Sequence, residues 1–68
     1  MLIVEVFFAE KRCLKRTISG NTQGLEENLT RIAAKFKVGI EKSEGKIIVN
    51  CGNEYPAFKA MRRALGCK

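Results

Sequence analysis

Apolar and polar residues alternate at the start of this chain in the way that a sheet strand requires. Residues 2 to 8, LIVEVFF, are rich in β-branched and aromatic side chains and contain one charge, Glu5. Because successive side chains of a strand point to opposite faces, the pattern predicts a strand whose core face carries every second residue. These core residues are Leu2, Val4, Val6 and Phe8.

A basic segment, EKRCLKR, follows and leads into a second apolar pattern at residues 14 to 18. Leu14 and Ile18 are expected to point inward there, while Lys15 and Thr17 point outward. The pattern predicts a second strand, paired with the first as a hairpin. The turn between the two lacks the glycine that hairpin turns favour.

Residues 19 to 24, SGNTQG, have turn chemistry and precede a helix. Asn21 or Thr22 can cap its first turn, where the negative charges of Glu26 and Glu27 favour the helix dipole. Apolar residues then recur with the 3.6-residue period of a helix, and Gly39 is expected to end it with a positive φ. The apolar positions are Leu25, Leu29, Ile32, Ala33 and Phe36, of which Leu29, Ile32 and Phe36 are expected to be buried against the sheet.

The second half of the chain has the same order of elements. Residues 38 to 41 and 46 to 51 are short apolar runs joined by KSEG, which predicts a hairpin that turns at Gly45. After GNEYP, with Asn53 as the expected cap, a last helix runs to Gly66. The apolar side of this helix comprises Ala57, Phe58, Met61, Ala64 and Leu65.

The element order is thus β-β-α-β-β-α, in one domain over residues 1–68. A chain of this length has too few residues for a third layer of secondary structure. We predict an α+β fold in two layers, with a four-stranded sheet and both helices packed on one face.

Positive charge dominates the expected surface. Lysine and arginine total 13 against 7 acidic residues, which gives a net charge of +6 at pH 7. Such an excess favours polyanionic partners, and it also serves solubility in proteins that bind no nucleic acid. Two clusters hold much of the charge, one at the first hairpin and one on the last helix. The first comprises Lys11, Arg12, Lys15 and Arg16, which we expect on a mobile hairpin turn. The second comprises Lys59, Arg62 and Arg63, which we expect on the side of the last helix opposite its apolar face.

Catalytic chemistry has little support in the sequence. Histidine is absent, which removes the commonest general base and the commonest metal ligand. Glu26 and Glu27 are adjacent on a helix and point about 100° apart, so we interpret them as helix-starting charges and not as a catalytic pair. Cys13 is the most tempting nucleophile because it lies among basic residues, but it has no histidine partner. We predict no enzymatic activity, no metal and no cofactor.

Cysteine usage and hydropathy bear on the compartment. Cys13, Cys51 and Cys67 are widely spaced and form no CxxC pair, which predicts thiols in the reducing cytoplasm, with Cys51 in the core. The apolar run at the N-terminus is short and carries Glu5, so we interpret it as a strand and not as a signal peptide. No segment approaches the length of a membrane span.

Taken as a whole, the chain resembles the SUI-type translation initiation factor one family. VEVFFAEKRCLKRTISG (4–20) is similar to the basic first hairpin of that family, and residues 25–52 are similar to its helix and following strands. YPAFKAMRRALG (55–66) is similar to its closing helix. The resemblance implies two helices on one sheet face and binding to RNA of the small ribosomal subunit. By that similarity the residues approaching RNA are Lys11, Arg12, Lys15 and Arg16.

A second resemblance, over residues 45–65, is to the small Pcc-type subunit of the KEOPS complex, in which a hairpin leads to an alanine-rich helix used for dimerisation. The leading hypothesis is an RNA-binding module that uses both basic clusters. The alternative is a non-catalytic protein-interaction subunit that forms a homodimer through a sheet edge or the last helix. Base stacking on an open sheet face has thin support, since only Phe7 lies opposite the core face of the first strand. Neither hypothesis involves a membrane or a small-molecule substrate.

Overall fold

A computed structural model describes residues 1–66 and contains six elements in the predicted order. The predicted α+β class, with a four-stranded sheet and the helices layered on it, is confirmed. The elements are β1 (Leu2–Phe8), β2 (Lys11–Ile18), α1 (Gln23–Phe36), β3 (Gly39–Ser43), β4 (Lys46–Asn50) and α2 (Tyr55–Ala64).

The sheet has the strand order β2-β1-β4-β3. Each hairpin is antiparallel, and the two hairpins meet where β1 and β4 pair in parallel at the centre. This arrangement leaves β2 and β3 as the two edge strands. Helix α2 packs against β1 and against α1, and α1 packs against β3, so one face of the sheet is covered and the other is open.

The core lies between the helices and the two central strands. Alternate residues of β1 and β4 are almost fully buried, as the sequence pattern predicts. Large side chains with less than 2% of their surface exposed include Val4, Val6, Leu29, Ile47, Val49, Cys51 and Met61.

Helix α1 is less deeply buried than its apolar stripe predicts. Leu29 and Ala33 are buried, whereas Ile32 and Phe36, which were expected in the core, are only half-buried. These two side chains line a groove of about 550 Å³ between α1 and α2. The expectation of full burial was wrong for them because the second helix covers only part of that side of α1.

The first hairpin is tighter than the sequence predicts, since β2 begins at Lys11 and the turn has only two residues. The turn contains no glycine, and Ala9 and Glu10 themselves adopt positive φ values of 54° and 66°. Two consecutive positive φ values are the requirement of a type I′ hairpin turn, which asparagine and glycine usually satisfy.

The helix ends also differ from the predictions. Lys37, with φ of 57°, ends α1 in the left-handed region, whereas Gly39 is already the first residue of β3. At the start of α1 the Asn21 Oδ1 accepts a hydrogen bond from the backbone N–H of Gln23. Helix α2 has Glu54 at its N-cap and not Asn53. The predicted left-handed turn at Gly45 is confirmed by its φ of 75°.

Candidate nucleic-acid interface

Strand β2 forms a basic edge of the sheet, which we define as Lys11, Arg12, Lys15 and Arg16. All four residues are exposed. The sequence suggested a mobile turn for this group, but the structure places all four within a strand that is hydrogen-bonded to β1 in a defined register. The basic edge is therefore part of the sheet and not a free loop.

A bulge decides which face each of these residues occupies. The register shifts between Val6 and Phe7, so that Cys13 has no partner on β1. Directly paired residues share a face of the sheet. Lys15 pairs with Glu5 and Arg12 pairs with Phe7, which puts these two cations on the open face. Lys11 pairs with Phe8 and Arg16 pairs with Val4, which puts the other two on the helix side of the strand.

Glu5 organises the charges of the open face. Only 10% of its side chain is exposed, and its Oε2 lies 3.7 Å from Arg12 Nη1 and 3.6 Å from Lys46 Nζ. A carboxylate so little exposed is costly to hold in the folded state without such partners. Lys46 was not identified from the sequence as a site residue, because it lies far from Glu5 along the chain. The one charge within an apolar strand was the signal that a partner had to exist.

The basic residues of α2 do not form one stripe. Lys59 and Arg63 are exposed and line the groove between the helices. Arg62 is half-buried, and its guanidinium carbon lies 6.0 Å from the centre of the Phe58 ring. The predicted grouping of these three residues on the side opposite the apolar face was wrong for Arg62, since its guanidinium lies beside the Phe58 ring of the apolar face.

A group of aromatic rings connects Arg62 with the hairpin. Phe58 stacks on Phe8 with 5.2 Å between ring centres, and Tyr55 meets Phe8 edge-on at 5.8 Å. Phe8 is also the partner of Lys11 in the sheet. The first residue of the basic edge and Arg62 thus flank the same group of rings, whereas Lys59 and Arg63 line the groove between the helices.

Residues 1–66 include one exposed and one buried cysteine. Cys13 is exposed at the bulge and donates a long Sγ hydrogen bond of 3.6 Å to the Phe8 carbonyl. Cys51 is buried, and burial is the main cause that raises the pKa of its thiol, with a smaller contribution from the nearby Cys13. Cys67 lies outside the described residues.

Residues 1–66 contain no group of three or more histidine, cysteine or acidic residues placed to hold a metal ion. None of the helices described is long and apolar enough to cross a membrane.

Comparison of the chain with protein-family models, with curated proteins and with solved structures gave no match. The resemblances to the SUI-type initiation factors and to the Pcc-type subunit therefore stay predictions from the sequence.

Proposed function

We propose that this chain is a small RNA-binding module of the translation-factor kind, which contacts ribosomal or other structured RNA mainly through the basic edge. One observation carries the proposal: four exposed cations lie on a single edge strand within six consecutive residues. A strand rises about 3.3 Å per residue, so these side chains extend along roughly 17 Å of surface. That spacing allows several phosphates of one RNA strand to be neutralised together.

The basic edge is also held in a defined conformation, which favours binding. Its backbone is paired with β1 on both sides of the bulge at Cys13, so fewer backbone degrees of freedom are lost on binding than a mobile loop would lose. Arg62 supplements the edge on the helix side through the ring group of Phe8 and Phe58. Lys59 and Arg63 belong to the same proposed surface only if the RNA continues over α2.

The proposed translation role rests on the resemblance of residues 4–20 to the basic hairpin of the SUI-type family. By that resemblance the partner is RNA of the small ribosomal subunit. The charge pattern supports RNA in general and does not select among RNA targets.

Homodimerisation remains the alternative, and the charges limit how it can occur. Two β2 edges placed side by side would oppose lysine and arginine to lysine and arginine, which is unfavourable. A dimer would therefore use the β3 edge or α2. Sedimentation of the purified chain over a range of concentrations tests this alternative.

The proposal is tested with three double variants that each remove two of the positive charges. Lys11→Gln with Arg16→Gln changes the basic edge, and Arg62→Gln with Arg63→Gln changes α2. The matched control is Arg31→Gln with Lys42→Gln, two exposed residues outside both clusters. Arg12 is left intact because its loss would remove a partner of the buried Glu5.

We expect the basic-edge variant to weaken binding to small-subunit RNA by about tenfold, the α2 variant to weaken it less, and the control to weaken it least. Fluorescence anisotropy at one fixed salt concentration provides the affinities. Equal losses in all three variants would show non-specific attraction of a basic protein to a polyanion. A larger loss in the α2 variant would place the main contact on the helix and count against the translation-factor assignment.

A further inference from the structure

The open face of the sheet contains a groove beside Phe7. One row of paired residues crosses the four strands there in the order Arg12, Phe7, Asn50, Gly39. Because Gly39 has no side chain, the space between Phe7 and the outer strand is unfilled. The resulting groove has a volume of about 440 Å³ and is lined by Phe7, Gly39, Ile40, Glu41, Ile48 and Asn50.

The lining has the composition of a small-ligand site. Phe7 and Ile48 are half-buried and supply an apolar floor, and two polar side chains lie at its margin. Small-molecule sites combine such apolar surface with a few polar groups that select the ligand, and their volumes begin at about 300 Å³.

The hydrogen-bonding capacity of the two polar side chains is defined. Asn50 Oδ1 accepts the backbone N–H of Gly52 at 3.0 Å, which identifies this atom as the oxygen and leaves the amide Nδ2 as a donor. Glu41 is exposed on β3 and has no ion-pair partner among residues 1–66. An ionised carboxylate only accepts hydrogen bonds, and it has two oxygens with which to do so.

We infer that this groove binds a guanine base of single-stranded RNA, an inference that rests on the RNA-binding function proposed above. Guanine presents two neighbouring N–H donors, N1 and N2, for the two oxygens of Glu41, and beside them the O6 acceptor for the amide of Asn50. Adenine and cytosine offer an amino group and an acceptor but no second N–H on the ring. Uracil offers one N–H between two carbonyl groups, which a carboxylate disfavours.

Phe7 and Arg12 supply the contacts that do not depend on the base. The accessible side of a half-buried aromatic ring on an open sheet face stacks with any base. Arg12 lies on the other side of Phe7 from Asn50, about 10 Å from it at the usual spacing of strands. Its ion pair with Glu5 holds it on the open face, where it neutralises the phosphate of the nucleotide whose base occupies the groove.

The inference is tested with fluorescein-labelled pentauridylate RNA in which the central base is guanine, hypoxanthine, adenine or uracil. Hypoxanthine differs from guanine only by the missing N2 amino group. We expect the guanine oligonucleotide to bind about tenfold more tightly than the hypoxanthine oligonucleotide, with uracil weakest. Fluorescence anisotropy at low salt measures each affinity.

Two variants of the groove, each with a control, connect this preference to the named residues. Glu41→Gln should remove the distinction between guanine and hypoxanthine, whereas Glu44→Gln, the same charge change in an exposed turn, should keep it. Gly39→Val should fill the groove and weaken binding of the guanine oligonucleotide. A Cβ at position 39 meets no atom closer than 3.9 Å, so the backbone of this strand can take a Cβ without a clash. Ser43→Val, on the same strand and face but outside the groove, is its control.

The outcomes separate this inference from the proposed function. If all four oligonucleotides bind equally, or if Glu41→Gln keeps the guanine preference, the groove does not read guanine, while RNA binding through the basic edge stands. If none of the oligonucleotides binds and the basic-edge variant also leaves binding to small-subunit RNA unchanged, both proposals fail.

Discussion

The turn between β1 and β2 places two ordinary residues in a backbone conformation that glycine prefers. Ala9 and Glu10 both have positive φ, and the Ala9 N–H donates a short hydrogen bond of 2.6 Å to the Gly52 carbonyl. For residues with a Cβ this region costs about 1 kcal/mol or more. The turn is held by the pairing of β1 and β2 on one side and by the contact with Gly52 on the other, so the sheet compensates for a locally unfavourable sequence.

Glu10→Gly should therefore stabilise the protein. The gain from relieving the positive φ of 66° exceeds the added entropy of glycine in the unfolded chain, and we expect about 0.5–1 kcal/mol. Glu44→Gly is the matched control: it removes the same charge from the other hairpin turn, at a residue outside the positive-φ set. That change should destabilise the protein slightly. Urea unfolding measures both effects, and a destabilised Glu10→Gly variant would show that the turn is not strained.

The two helices contribute unequally to the core although both have a clear apolar stripe. Phe58 of α2 is 9% exposed and stacks on Phe8, while Phe36 of α1 is half-buried beside the interhelical groove. Lys35 lies over the Phe36 ring with its ammonium 5.5 Å from the ring centre. A cation in that position is characteristic of a ring that still meets solvent. Helix α2 is therefore the element whose packing matters more for stability.

Phe58→Ala should cost about 3–5 kcal/mol, which is enough to unfold a domain of this size, whereas Phe36→Ala should cost less than half as much. Circular dichroism during urea unfolding gives the two values. Phe58→Leu and Phe36→Leu retain more apolar volume and keep the comparison measurable if the alanine variant of Phe58 does not fold. Equal costs at the two positions would contradict the difference in burial.

At the scale of the whole molecule, the net charge of +6 is distributed over distinct surfaces. The open face carries Arg12, Lys15 and Lys46 around Glu5. The helix side of β2 carries Lys11 and Arg16, and the groove between the helices carries Lys59 and Arg63. An RNA strand that followed β2 would meet both of the first two surfaces, which is why we propose the basic edge as the main contact.

RNA binding should weaken steeply as salt is raised. Each phosphate neutralised on a single strand contributes about −0.7 to the slope of log K against log salt, so three or four contacts give a slope of roughly −2 to −3. Lys11→Gln with Arg16→Gln should reduce the slope by about 1.4, because two contacts are lost. Affinities measured at several salt concentrations provide both slopes. A flat response of the unaltered protein would exclude phosphate contacts as the source of binding.

The sequence alone determined the order of the strands and helices and the core face of the central strands. Alternation in LIVEVFF and the helical spacing from Leu25 to Phe36 are local patterns, and they remain legible because each depends on neighbours a few residues away. The hairpin turn at Gly45 was predictable for the same reason. The hypothesis of a polyanionic partner likewise came from the net charge, without any knowledge of the fold.

The tertiary structure decided everything that depends on which strands lie side by side. The bulge at Cys13 decides which cations of the basic edge share a face, and the parallel pairing of β1 with β4 brings Lys46 to Glu5. The same pairing places Asn50 beside Phe7, and the β3–β4 register places Gly39 next to Asn50. The turn fixes the register within each hairpin, but the pairing between the two hairpins arises from packing of the whole chain, so no local pattern specifies it. For this reason the candidate groove, unlike the charge, was not visible in the sequence.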